Sequence, residues 1–341
     1  MPPKDISDAW PHGSASNTTT GDAGKRRLPY GPAPVQRTFS REPRIALRAE
    51  PEYHDSKPVS ADGTLKDSGT VFVRRRSTPG GGGSDGGTLR QARGRGDLAR
   101  PNFDIHVGPN GYAWWYLDAL SDCGQYGLTV IAMLGCVFSP WYARARRHGQ
   151  VDPVQHSALN VVLYRGQGRR WAMTERDATA VTRHEDQLTI GPSRVTWDGE
   201  ALRIDVDEKT SPWPQALRGQ IRVVPSVRHA TAYPLDAAAR HLWWPIAPLA
   251  RVSVIFDAPA LNWVGSAYLD ANQGLAPLET DFESWNWSRS HGAASTRVLY
   301  DTIGAQDRPN RSWSLDFASD GSVRAGSKPP INPMTKTMWG I

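Results

Sequence analysis

From residue 101 onward, apolar and polar positions alternate in short runs that close on turn residues. Ser157-Ala158-Leu159-Asn160-Val161-Val162-Leu163-Tyr164 ends at Gly166, Leu188-Thr189-Ile190 ends at Gly191-Pro192, and Arg194-Val195-Thr196-Trp197 meets Asp198-Gly199. Further runs cover Ala201 to Val206, Gly219 to Val224, Ala250 to Phe256 and Ser295 to Tyr300. Such runs, punctuated by turn residues roughly every 8 to 12 positions, predict an all-β sandwich or barrel. Asp198-Gly199 is the sharpest hairpin signal, because glycine accepts the positive φ of a type I′ turn. Leu235 to His241, with its alanine triplet, has helical character that Pro245 limits, and is expected as a short helix or linker between two β domains. The longest apolar run, Leu128 to Phe138, is too short for a bilayer span, which takes about 20 residues.

Charge divides the chain differently. Residues 1 to 100 hold 17 Lys and Arg against 11 Asp and Glu, whereas the remaining 241 residues hold 23 of each. The net charge of +6 therefore belongs to the first hundred residues, which also contain only Trp10 of the 14 tryptophans. A segment this poor in large apolar groups, with Pro79-Gly80-Gly81-Gly82-Gly83-Ser84 inside it, cannot offset the entropy of ordering its backbone. Residues 1–100 are expected to be a disordered basic tail, followed by β domains over 101–232 and 233–341. Lys25-Arg26-Arg27 and Arg74-Arg75-Arg76 are expected to be a solvated tail with no role or, second to that, to make weak contact with anionic lipid; without interleaved aromatics they do not predict specific nucleic-acid binding. Met1-Pro2-Pro3-Lys4-Asp5 opens into polar residues with no secretory apolar core. A cytoplasmic, peripheral protein is expected, with Cys123 and Cys136 as buried free thiols.

The chemistry concentrates in two short stretches, His241-Leu242-Trp243-Trp244 and Tyr268-Leu269-Asp270. An isolated carboxyl in an aromatic, water-poor pocket resists ionising and can donate a proton at neutral pH. Indole and phenol faces stabilise a carbocation without attacking it. The ordinary alternative is that Asp and Tyr are rim residues and the Trp pair is core. Tyr116-Leu117-Asp118-Ala119 recurs as Tyr268-Leu269-Asp270-Ala271, which, beside chance similarity, suggests the same strand and turn in two duplicated domains.

The stretch Gly111 to Leu120, GYAWWYLDAL, with Gly127 to Gly135 and Val137-Phe138-Ser139-Pro140-Trp141-Tyr142, resembles the N-terminal signature of the bacterial carotenoid 1,2-hydratases, or hydroxyneurosporene synthases. The resemblance continues through Asn160 to Tyr164, Trp171 to Arg176, His241 to Pro245, Trp263 to Gly274 and Phe282 to Arg289. It covers residues 102 to 341 and leaves the first hundred unexplained. It implies two lipocalin-like β domains, no metal or organic cofactor, and addition of water to the terminal C1,2 double bond of an acyclic carotene such as neurosporene or lycopene. The positions matching the family's catalytic set are His241, Trp243, Tyr268 and Asp270. Asp270 is then the proton donor, Trp243 the cation stabiliser, and Tyr268 and His241 the groups that hold Asp270 in its acid form and position the water. Trp244, Trp285 and Trp287 are the expected substrate-binding wall, with core packing as an equal role for the last two. Peripheral contact with membrane lipid follows from a substrate that lives in the bilayer. A non-catalytic terpenoid carrier and a polyene cyclase on the same fold are the alternatives.

Four other groups are weighed. Asp118 is expected in a structural hydrogen bond, with a second acid as its alternative. Glu283 is expected on the face of Trp285, either as a buried acid or paired with Arg289. Asp104 and His106 lack a third ligand at metal spacing, so a rim role is expected. The resembling sequences continue beyond Trp339-Gly340-Ile341; if that part supplies a closing strand, the second domain is expected to have an unpaired edge, and the alternative is that the family's tail is dispensable.

Overall fold

The computed structural model describes residues 100–165, 168–292 and 294–329. The expected tail before Arg100 and the Trp339-Gly340-Ile341 end lie outside the described residues. The all-β expectation holds: sixteen strands and a few short helical turns make up the regular structure described.

A large sheet takes β1 (Tyr112–Ser121), β2 (Tyr126–Leu134), β3 (Ser157–Arg165), β4 (Gly168–Arg176), β5 (Val181–His184), β6 (Gln187–Ile190), β7 (Ser193–Trp197), β8 (Leu202–Lys209), β9 (Ala216–Val227), β10 (Tyr233–Pro234), β11 (His241–Ala258) and β12 (Ala260–Gly274). Its order is β4-β3-β2-β1-β12-β11-β9-β8-β7-β6-β5, with β10 on β11. The sheet curls almost closed. Ser211 N–H reaches Trp171 O at 2.9 Å, and Arg176 pairs with Glu208 at 2.7 Å. A second sheet takes β13 (Phe282–His291), β14 (Ser295–Gly304), β15 (Arg311–Ala318) and β16 (Val323–Ala325), in that order.

Burial explains which sequence signals are clean. β8 and β9 alternate buried and exposed because one face is wet. β1 is buried at nearly every position because both its faces are covered. Ala113, Trp115, Leu117 and Ala119 point into the barrel core; Tyr112, Trp114 and Tyr116 point into a second core shared with the four-stranded sheet. The apolar run in β2 has the same cause.

Residues 233–274, expected in the second domain, are hydrogen-bonded into the large sheet. The repeated tetrapeptides are neighbours there, not equivalent strands of two separate sheets: β1 and β12 pair antiparallel, Leu117 opposite Leu269 and Asp118 opposite Tyr268. Leu235–His241 is a turn and the start of β11, since Asp236 accepts from Ala238 N and His241 N and holds the chain out of a helix. The Asp198-Gly199 hairpin forms, with Trp197 opposite Leu202. Its turn is longer than the expected type I′, because Asp198 Oδ1 takes the N–H groups of Glu200 and Ala201. The helix α1 (Pro140–Arg146) was not anticipated, although Ser139 caps it and Pro140 starts it. Both cysteines are free; Cys136 is buried as expected, but Cys123 is exposed in the β1–β2 turn.

Candidate active site

Period-two geometry puts Tyr268, Asp270, Asn272 and Gly274 of β12 on the face that meets the second sheet. Across from them, β1 contributes Asp118, Tyr116, Trp114 and Tyr112, and the start of β11 contributes Trp243 and His241. Asp270 is 2% exposed. Its Oδ2 accepts from Trp243 Nε1 and from the Tyr268 hydroxyl, each at 2.9 Å. Oδ1 takes only a long 3.3 Å bond from Asn272 Nδ2, and Asn272 Oδ1 in turn accepts from the Tyr300 hydroxyl at 3.2 Å. No ion pair reaches Asp270 among the described residues. Burial pushes its carboxyl up to about 7, against the lowering effect of the Tyr268 and Trp243 hydrogen bonds. Tyr268 is likewise held well above its ordinary value by burial, so it stays a donor.

His241 is also fully buried, but in a different network. It stands opposite Gly274, four residues along β12 from Asp270, or about 13 Å of strand. Nε2 lies 2.8 Å from Asp281 Oδ2 and Nδ1 lies 2.9 Å from the Tyr112 hydroxyl. Burial lowers the imidazole's pKa, and the neutral ring fits both bonds if Nε2–H donates to Asp281 and Nδ1 accepts from Tyr112. Asp281, at the end of α2 (Leu278–Asp281), also binds Arg240, and Arg308 Nε at 3.1 Å. Only glycine fits at 274, where a Cβ would stand 2.3 Å from Tyr112 Cε1 and 2.6 Å from His241 Nδ1.

The structure therefore brings Trp243, Tyr268 and Asp270 together and sets His241 apart. Trp244 falls on the opposite strand face, packed on the barrel core with its Nε1 donating to His229 O at 2.7 Å; alternation along β11 makes this unavoidable. Trp285 and Trp287 do share the site face. Trp287 packs 5.2 Å from Tyr116 and 5.4 Å from Tyr268, ring to ring. Trp285 Nε1, Trp287 Nε1 and Arg289 Nη1 are buried without a hydrogen-bond partner among the described residues. Arg289 pairs with Asp118, its Nε 3.2 Å from Oδ2. Glu283 is exposed rather than a buried acid or a partner of Arg289, because a bulge between Phe282 and Ser284 turns it outward. Asp104 and His106 precede β1 outside any strand. No group of three or more metal-ligating side chains occurs among the described residues.

Sequence reasoning missed Tyr116, Asn272, Tyr300 and the Tyr112–Asp281 pair around His241. Asn272 was findable as the next same-face position after Asp270. The others reach the site through strand register or the second sheet, which leave no local signal.

A family model described as carotenoid hydratase CrtC matches residues 130–341. The acyclic carotenoid 1,2-hydratase of Thiocapsa roseopersicina is 48% identical over 275 residues, covering 80% of this chain and 68% of that protein. The acyclic carotenoid 1,2-hydratase of Rubrivivax gelatinosus is 44% identical over 244 residues, covering 71% of this chain and 60% of that protein. The chain thus spans about two thirds of the length of these relatives. A solved structure of CghA with Sch210972 aligns at a TM-score of 0.45 and 11% identity, over 71% of this chain and 70% of that one.

Proposed function

Because this chain belongs to the carotenoid hydratase CrtC family of hydro-lyases, we propose that it adds water to the terminal C1,2 double bond of an acyclic carotene, neurosporene or lycopene, with Asp270 as the acid. The observation that carries the mechanism is a buried carboxyl with aromatic donors around it and no cationic partner among the described residues. Its Oδ2 is saturated by Trp243 and Tyr268, so the acid proton sits on Oδ1, where only Asn272 makes a long contact. Transfer of that proton to C2 leaves the more substituted cation at C1. Tyr116, the cross-strand partner of Asp270, packs ring to ring with Tyr268 and Trp287, and Trp243 adds π surface while anchoring Oδ2. A desolvated cation–π contact is worth about 2 kcal/mol.

Water then bonds to C1 and its surplus proton returns to the Asp270 carboxylate, which restores the enzyme. Trp287 Nε1 and Arg289 Nη1, two of the buried donors without a hydrogen-bond partner among the described residues, are the groups available to hold that water. The sequence needs no metal or organic cofactor, since each proton moves on the chain's own carboxyl. His241 acts on this site by fixing the start of β11 rather than by touching the water, because both its ring nitrogens are engaged elsewhere.

The substrate resides in a bilayer, so the protein works as a peripheral partner of lipid on the cytoplasmic face. No described helix is long and apolar enough to cross a membrane, and Trp141 and Trp213 are 66% and 72% exposed, as groups that dip into an interface would be. Incubation with lycopene or neurosporene in liposomes, followed by mass detection, tests the reaction. A one-water gain that Asp270→Asn abolishes is expected. Binding without water gain would leave a carrier, and an isomer of unchanged mass a cyclase.

A further inference from the structure

Asp118 on β1 and Arg289 on β13 tie the two sheets together beside the acid. Arg289 takes the carboxylate in a fork, Nη2 bonding Oδ1 while Nε lies 3.2 Å from Oδ2. The side chains of Arg289 and Asp118 are only 6% and 15% exposed. Asp118 stands opposite Tyr268 and Tyr116 opposite Asp270, so the two aspartates are diagonal neighbours on one sheet face, about 7–8 Å apart. The guanidinium carbon of Arg289 lies 5.8 Å from the centre of the Tyr268 ring, the phenol that donates to Asp270.

A pair this deep is not explained by stability alone, since packed apolar side chains often do as well. Its charges matter to the acid instead. A cation beside a buried carboxyl ionises it, and an uncompensated unit charge at 7–8 Å changes a neighbour's proton affinity about tenfold to a hundredfold at an effective dielectric near 20. The fork commits the guanidinium to Asp118, while Nη1 stays buried without a partner among the described residues. Asp118 adds its own negative field, which raises the Asp270 pKa. The other titratable groups facing the two aspartates are Tyr116 on β1, Tyr164 on β3, Tyr268 on β12, His291 on β13 and Tyr300 on β14. Burial holds Tyr116, Tyr268 and Tyr300 above the ordinary phenol value and His291 below the ordinary imidazole value, so all four favour the neutral form. Arg251 on β11 lies farther out and is bound to Asp122.

We infer that Asp118 is a positioning residue of the reaction: it binds the Arg289 guanidinium and cancels its charge, so that Asp270 keeps its proton while Nη1 remains free for the attacking water. This rests on the hydratase reading, and it gives the cross-strand neighbour of Tyr268 a part in the chemistry that does not require contact with substrate. An ion pair that only joined the two sheets would leave the ionisation of Asp270 untouched when either charge is removed.

The test follows hydration of lycopene in liposomes across pH and reads the alkaline limb, where Asp270 loses its proton. Asp118→Asn keeps the shape and an acceptor but frees the Arg289 charge, and is expected to move the limb down by about one to two pH units. Arg289→Gln leaves Asp118 unpaired and is expected to move the limb up. The double variant carries neither charge and is expected to bring the limb back towards the parent's position, and Asp118→Glu, which keeps the pair, to hold it there. The two single variants probe one charge balance from opposite sides, so a single folded one suffices, and a limb that stays at the parent's position in it would overturn the inference. The same ionisation is read without turnover by carbon NMR of aspartate-labelled protein, with Asp270→Asn identifying the resonance. If the unsubstituted protein adds no water to lycopene, the hydratase reading fails, while the NMR titration still decides whether Asp118 sets the charge state of Asp270.

Discussion

Asp270 and Asp281 are carboxyl groups sealed in the same aromatic core, 2% and 1% exposed, and they differ in company. Asp281 is ringed by Arg240, Arg308 and His241. Asp270 has an indole, a phenol and an amide, with no cation paired to it among the described residues. Only Asp281 carries the counter-charges that compensate a buried carboxylate. Depth alone does not make a proton donor; depth without a cation does.

The largest expected effect breaks the acid half of this contrast. Asp270→Asn should lower hydration by about 10³-fold, as loss of a general acid does, while circular dichroism stays native. The same substitution should raise the melting temperature at pH 8 and leave it little changed below pH 4. The sign follows from the raised carboxyl: the protonated form is the one the fold accepts, so its contribution is present below the ordinary value of 3.8 and is lost as pH rises through about 7. Retained activity in a folded Asp270→Asn protein would end the assignment.

Next comes the ionic half. Asp281→Ala should cost about 1–3 kcal/mol of stability, measured by denaturant unfolding, because the buried His241 Nε2 loses its partner and the partly exposed Arg240 and Arg308 lose their counter-charge. Activity per folded molecule should fall far less than in Asp270→Asn. His241→Gln is expected to follow Asp281, with about 1–3 kcal/mol lost from the broken buried hydrogen bonds and an unshifted pH profile. A His241→Gln protein with native stability and no turnover would instead place the imidazole in the chemistry.

The smallest change sharpens the comparison from within the acid site. Tyr268→Phe removes a hydrogen bond that lowers the Asp270 pKa, so the alkaline limb of the pH–activity profile should move above its starting point near 7. The fold should persist, and a limb that stays in place would show that Asp270 does not set it.

These contrasts also mark how far the sequence could be read. Tyr268, Asp270 and Asn272 are legible as one face because strand alternation is local. Trp244 was misplaced when it was grouped with Trp243, although the same alternation puts adjacent residues on opposite faces. Glu283 was misplaced because a one-residue bulge reverses alternation and leaves no mark in composition. His241 looked like a partner of Asp270 because both are polar residues among aromatics; their separation comes from the β11–β12 register, which sets His241 opposite Gly274. The tetrapeptide echo was visible as repetition, but that its copies pair with each other was not.

By itself, the sequence determined the all-β class, most strand positions, the catalytic-looking trio on β11 and β12, and the family. Those follow from side-chain periodicity, turn chemistry and motif, all written within a few residues. Only the tertiary structure decided which buried carboxyl stands without a cation and which tryptophan faces it. The reason is physical: pKa, solvation and access depend on groups brought from strands far apart in the chain, and no local pattern encodes that company.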